Sequence, residues 1–89
     1  MPRVVFTANL QRHVPCPPCT VPGTTAREAL ENAFALTPRV RGYVLDDQGE
    51  LRHHMAVFVG GRACADRRGL SDAVGEKDEI VVMQALSGG

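Results

Sequence analysis

Residues 25–38 form the one segment of this chain whose beginning, apolar face and end are all written in the sequence. Thr25 followed three residues later by Glu28 is a capping box, the signature of a helix N-terminus. Ala26, Ala29, Leu30, Ala33 and Phe34 recur at the spacing of a single stripe on a 3.6-residue helix. Arg27, Glu31 and Asn32 fall on the wet side. Pro38 disfavours helical backbone at the residue before it, so the helix ends near Leu36 or Thr37. A helix with one apolar stripe must bury that stripe against another element. The rest of the chain has to supply it.

What surrounds the helix reads mostly as strand. Arg3-Val4-Val5-Phe6-Thr7-Ala8 is β-rich, with Val4, Phe6 and Ala8 on one face and Val5 and Thr7 on the other. Residues 14–23 hold four of the six prolines and read as a loop or an interrupted edge strand. Tyr43-Val44-Leu45 is a short apolar run, followed by the turn Asp46-Asp47-Gln48-Gly49. Leu51 to Val59 climbs into a strand. Gly60-Gly61 is a two-residue hairpin signal, and Arg62 to Ala65 is the return strand. Leu70 to Val74 reads as one short helical turn, and Gly75 to Glu79 as a polar turn. Ile80 to Leu86 is a final strand, with Ser87-Gly88-Gly89 after it.

One main helix with strands at both ends of the chain gives an α+β layer. The arrangement that fits is the β-grasp, a mixed sheet curled around one helix with the first and last strands side by side. The expected organisation is a domain over residues 1–86 and a flexible tail over 87–89.

Composition narrows the function. The 89 residues carry 10 Lys plus Arg and 10 Asp plus Glu, so the formal net charge is zero. Non-specific nucleic-acid binding has no electrostatic driving force in such a chain. No apolar run approaches the roughly 20 residues of a membrane helix, and no secretory signal is expected, so the expected compartment is the cytoplasm. Three cysteines are an odd number that suits a reducing compartment.

Residues that look reactive do not assemble into a site. Cys16-Pro17-Pro18-Cys19 is a C-x-x-C, the spacing of a zinc half-site or a redox pair. Zinc needs four ligands, and no second C-x-x-C exists. A redox pair needs a helix behind the first cysteine, and Thr20-Val21-Pro22-Gly23 does not open one. The segment is expected to be a proline-stiffened loop holding two thiols, with Cys16 and Cys19 a weak metal candidate. Cys64 is expected as a small buried residue. Alternation would put one of His53 and His54 inward and one outward. Gly60-Gly61 lacks the following helix that a phosphate cradle requires.

That leaves Gly88-Gly89. A strand runs into this tail, whose last two residues carry no side chain and fit a tunnel too narrow for a Cβ. A terminal carboxylate is ionised at neutral pH and nucleophilic toward phosphorus. Such a tail is a substrate for an enzyme and not an active site.

At this point the chain resembles the ThiS/MoaD family of ubiquitin-like sulfur carriers, in particular its MoaD-like and CysO-like members. The opening strand at Val4 to Ala8, the helix at 25–36, the hairpin at Ala56 to Gly61, the turn and strand at Gly75 to Val82, and Gly88-Gly89 carry the resemblance. It implies that a ubiquitin-activating-like adenylyltransferase binds the chain and threads its tail. Gly89 attacks the α-phosphate of ATP, and a persulfide or sulfide donor converts the acyl-adenylate to a thiocarboxylate. A downstream synthase then takes the sulfur for molybdopterin, thiamin, cysteine or methionine-type biosynthesis. The chain itself would be no enzyme and hold no stable cofactor; ATP belongs to the activating enzyme. Gly88 and Gly89 carry the chemistry, and Val5, Thr7, Val81, Met83 and Leu86 are the expected docking residues. The alternative is a ubiquitin-like modifier joined to lysines through Gly89.

Overall fold

The computed structural model describes residues 1–84. The capped helix is present as α2, Ala26–Leu36. The Thr25 hydroxyl accepts from the Glu28 N–H at 3.1 Å. The reciprocal bond is shifted by one residue, since the Glu28 carboxylate accepts from the Thr24 N–H at 2.9 Å. All five stripe residues are buried.

Five strands form one mixed sheet: β1 (Arg3–Phe6), β2 (Cys19–Thr20), β3 (Met55–Val59), β4 (Arg62–Ala63) and β5 (Glu79–Gln84). Their order is β2-β1-β5-β3-β4. β1 and β5 run parallel, with Val4 beside Ile80 and Phe6 beside Val82. β3 runs antiparallel to β5, with Val57 opposite Val82. The inner face, made of Val4, Phe6, Met55, Val57, Ile80 and Val82, joins the α2 stripe in one core. Gly60 and Gly61 both have positive φ, 57° and 85°, as a primed hairpin turn between β3 and β4 requires. The α+β class and the adjacency of first and last strands are as the sequence indicates.

Several expectations are corrected. β1 stops at Phe6, and Ala8 is exposed because it opens a short helix, α1, Ala8–Gln11. Tyr43-Val44 lies in a further helix, α3, Pro38–Val44. Pro38 takes the first turn, where its missing N–H costs nothing, and Val40 and Val44 are buried one helical turn apart. The strand after the turn starts only at Met55. Residues 70–74 form no helical turn. Leu70 has positive φ, 53°, with its side chain fully buried, and Ala73 bridges to Thr25.

That 64–74 loop caps α2. The Ala26 and Arg27 N–H groups donate to the carbonyls of Asp72 and Leu70 at 2.9 and 2.8 Å. These are N-terminal helix donors with no partner inside the helix. Asp72 holds the loop from the other side, accepting from the Ala65 and Asp66 N–H groups at 2.8 and 2.9 Å. Arg27 ties the loop to its neighbours. Its guanidinium donates to the carbonyls of Gly49, Arg68 and Gly69 and to the Glu31 carboxylate.

Candidate functional site

β5 positions the site because it is central. Its backbone is bonded to β1 on one side and β3 on the other, as far as the pairing of Gln84 with Met55. The last described residue, Gln84, is therefore held in the sheet. Residues 85–89, with Leu86, Gly88, Gly89 and the expected tail, lie outside the described residues.

Alternation along β5 divides its side chains. Ile80 and Val82 are buried against α2, whereas Val81 and Met83 are half-buried on the opposite face. Register then assembles a patch. Val5 lies beside Val81, Phe58 lies on the other side of Val81, and Ala56 lies opposite Met83. All five are half-buried, so this outer face is apolar and open. The structure thus brings together Val5, Val81 and Met83 from the expected set. Thr7 lies one residue beyond β1, half-buried, and its N–H extends the ladder by donating to the Val82 carbonyl at 3.1 Å. Ala56 and Phe58 were missing from that set. Period-two alternation in Met55-Ala56-Val57-Phe58-Val59 was the signal, because inward Met55, Val57 and Val59 leave the other two outward.

Three free thiols lie among the described residues. Cys16 is buried, Cys19 is half-buried on edge strand β2, and both are free. Burial pushes both thiols above their ordinary pKa, which disfavours the thiolate that redox chemistry and metal binding need. Among the described residues no group of three or more His, Cys, Asp or Glu is placed to hold a metal ion. Cys64 is half-buried, its thiol 3.7 Å from the Asp66 carbonyl. Desolvation, reinforced by the Asp72 carboxylate, pushes its pKa up to about 11. His53 and His54 are both exposed, so neither points inward as alternation implied. They lie in the turn before β3, where strand alternation has not yet begun. No described helix is long and apolar enough to cross a membrane.

What the arrangement offers is an open apolar face on a sheet whose central strand is β5. No protein-family model and no curated protein matches the chain. Solved structures do. SAMP1 from Haloferax volcanii is 27% identical, over 99% of this chain and 98% of that one, with a TM-score of 0.78. CysO from Amycolatopsis orientalis, solved in complex with BexX, is 18% identical over 100% of both chains, with a TM-score of 0.82. CysO from Mycobacterium tuberculosis is 17% identical over 97% of this chain and 100% of that one, with a TM-score of 0.81. SAMP1 is a small archaeal modifier protein. The chain has the ubiquitin-like β-grasp fold of these neighbours.

Proposed function

We propose that the chain is a sulfur carrier that works through Gly89. An adenylating enzyme of the ubiquitin-activating kind docks on the outer sheet face and takes in residues 85–89. The Gly89 carboxylate attacks the α-phosphate of ATP, forms an acyl-adenylate and releases pyrophosphate. A sulfide-equivalent donor attacks the acyl carbon, the bond to phosphate breaks, and AMP leaves. The product is a thiocarboxylate, which a downstream synthase uses as its sulfur source. Gly88 serves by lacking a Cβ, so the backbone enters a narrow passage.

The observation that supports this reading most is the position of β5. β5 is bonded on both sides and carries the open apolar face, and the residues that end in Gly88-Gly89 follow it in the chain. Exposed apolar patches on small soluble domains mark partner surfaces. ATP is a co-substrate here and needs no pocket on this chain.

A second reading has its own support. The 27% identity to a small archaeal modifier protein favours transfer of activated Gly89 to a lysine amine, forming an isopeptide bond. The two readings share every step up to the adenylate.

Intact mass spectrometry on the protein isolated from its host, with thiols protected, separates them. Exchange of one oxygen for sulfur, mapped to Gly89, is the expected result. Gly89 found instead on lysines of other proteins gives the modifier reading. Failure of an adenylating enzyme to exchange ATP with pyrophosphate on the full chain removes both.

A further inference from the structure

Zero net charge conceals an uneven distribution. None of the ten acids lies in residues 1–27, 51–65 or 80–89. Those segments contain β1, β2, β3, β4 and all of β5 except Glu79. Glu79 sits at the start of β5 and is paired with Arg3 at 3.8 Å. The remaining acids lie on α2, in the 46–50 turn, in the 66–72 loop and in the 76–78 turn.

The cations and imidazoles near the far end of β5 come from three elements. Thr7 is bonded to Val82, and α1 follows it directly, with exposed Arg12 and His13 just after its last residue, Gln11. His13 stacks on Tyr43 of α3, ring centroids 5.8 Å apart. The Arg52 Nε donates to the Gly42 carbonyl at 2.9 Å, which joins α3 to the segment before β3. His53 and His54 follow, exposed, and lead to Met55, the partner of Gln84. Arg67 adds a third guanidinium, donating to the carbonyls of Arg52 and Met55 at 2.9 and 2.8 Å. The end of the sheet where β5 finishes at Gln84 is thus collared by Arg12, His13, Arg52, His53 and His54. No acid lies within residues 8–13, 38–44 or 52–55; Glu50 is two residues before Arg52 and Asp66 adjoins Arg67, whereas the acidic 76–79 turn lies at the opposite end of β5.

We propose that this collar is a docking surface for an acidic protein surface, the rim around the opening that receives residues 85–89 in the partner enzyme. The inference rests on the proposed function for the identity of the partner, but the collar's preference for carboxylates is testable on this chain alone. Complementary charge at the mouth orients the encounter so that the tail meets its opening first, and it accelerates association in a salt-dependent way. A second array of donors beyond the apolar face also fixes the rotation of the carrier on its partner.

The test is titration of the isotope-labelled full chain with a ten-residue polyglutamate peptide, followed by amide chemical shifts. Shifts are expected at residues 8–13 and 52–55. They should collapse when salt is raised to about 0.5 M, where the screening length falls to a few ångströms. Exposed Arg12→Glu and His54→Glu together should weaken binding at least tenfold with the fold unchanged. Shifts centred on Arg62, Arg68 or Lys77, or none at all, would overturn the proposal. So would binding of inorganic tripolyphosphate but not polyglutamate, which would make the collar a phosphate site. Because no adenylating enzyme is present, a sulfur-carrier reading that fails leaves this result standing, and the reverse also holds.

Discussion

Arg27 offers the most demanding test of the packing described above. Its guanidinium makes four hydrogen bonds, to the carbonyls of Gly49 (2.6 Å), Arg68 (3.0 Å) and Gly69 (3.2 Å) and to Glu31 (3.2 Å). A hydrogen bond from a charged donor contributes roughly 1.5–3 kcal/mol when buried. The side chain is 30% exposed, so water rehydrates part of what an Arg27→Ala change would strand. Glu31 also keeps Arg41, bonded at 3.0 Å through two nitrogens. Discounted for both, the expected loss is about 2–3 kcal/mol, or roughly 10–20 °C in Tm for a domain of this size. Arg27→Lys keeps the charge but not the planar fork, since one ammonium cannot span three carbonyls in fixed directions. It should recover less than half of the loss. Arg27→Met controls for packing of the stem and should resemble Arg27→Ala. Denaturant unfolding measures all three. A loss below about 0.5 kcal/mol for Arg27→Ala would mean that the 46–50 and 64–74 loops are held without the clamp.

Four further outcomes are expected. Met83→Asp or Phe58→Asp should weaken binding to the adenylating enzyme at least tenfold, about 1.4 kcal/mol, with thermal stability nearly unchanged; unaltered affinity by calorimetry would remove the outer face from the interface. Deleting Gly89 should abolish ATP–pyrophosphate exchange without altering the unfolding curve, and persistent exchange would refute the proposed function. Gly23→Ala should lower stability, because a Cβ there would lie 2.7 Å from the Ala29 backbone nitrogen, and an unchanged melting curve would show that the start of α2 yields freely. Glu31 is held below the ordinary carboxylate range, chiefly by its hydrogen bond from Arg41. Its stabilisation is complete above the unfolded pKa of about 4.3 and is lost as pH falls through the lower folded value. Glu31→Gln should therefore flatten the acid limb of the stability profile, and an unchanged limb would assign it to other carboxylates.

The parts of the fold legible in the sequence were those fixed by local chemistry. Thr25 and Glu28 gave the helix start, Gly60-Gly61 the hairpin, and alternation in the last strand its two faces. Helix α3 was not legible because Tyr43-Val44-Leu45 looks like strand when read alone. The competing signal was Val40 and Val44 at i, i+4 after a helix-starting proline, and burial of both decided it. The local sequence around Leu70 suggests a helical turn, but its carbonyl caps Arg27 across the fold, a tertiary demand that neighbouring residues do not encode. Of the candidate docking face, β1 and β5 were readable by alternation. Phe58 and Ala56 became part of it only through the pairing of β3 with β5, which is a matter of register. The tail chemistry was read from Gly88-Gly89, outside the described residues, and stands as a proposal.

The ladder between β1 and β5 joins residues far apart in the chain, Arg3 with Glu79 and Phe6 with Val82. During synthesis the first strand emerges early and waits for a partner made near the end. Long-range parallel pairing of this kind is slow to nucleate, because the loop must close before any contact rewards it. Until then β1 and β3 have no shared neighbour, and the face of α2 that covers the sheet stays uncovered. A nascent or clipped chain lacking residues 79–84 therefore has no middle to its sheet. The strand at the centre of the sheet is also the strand that completes the fold, so the proposed docking face exists only in molecules that have finished folding.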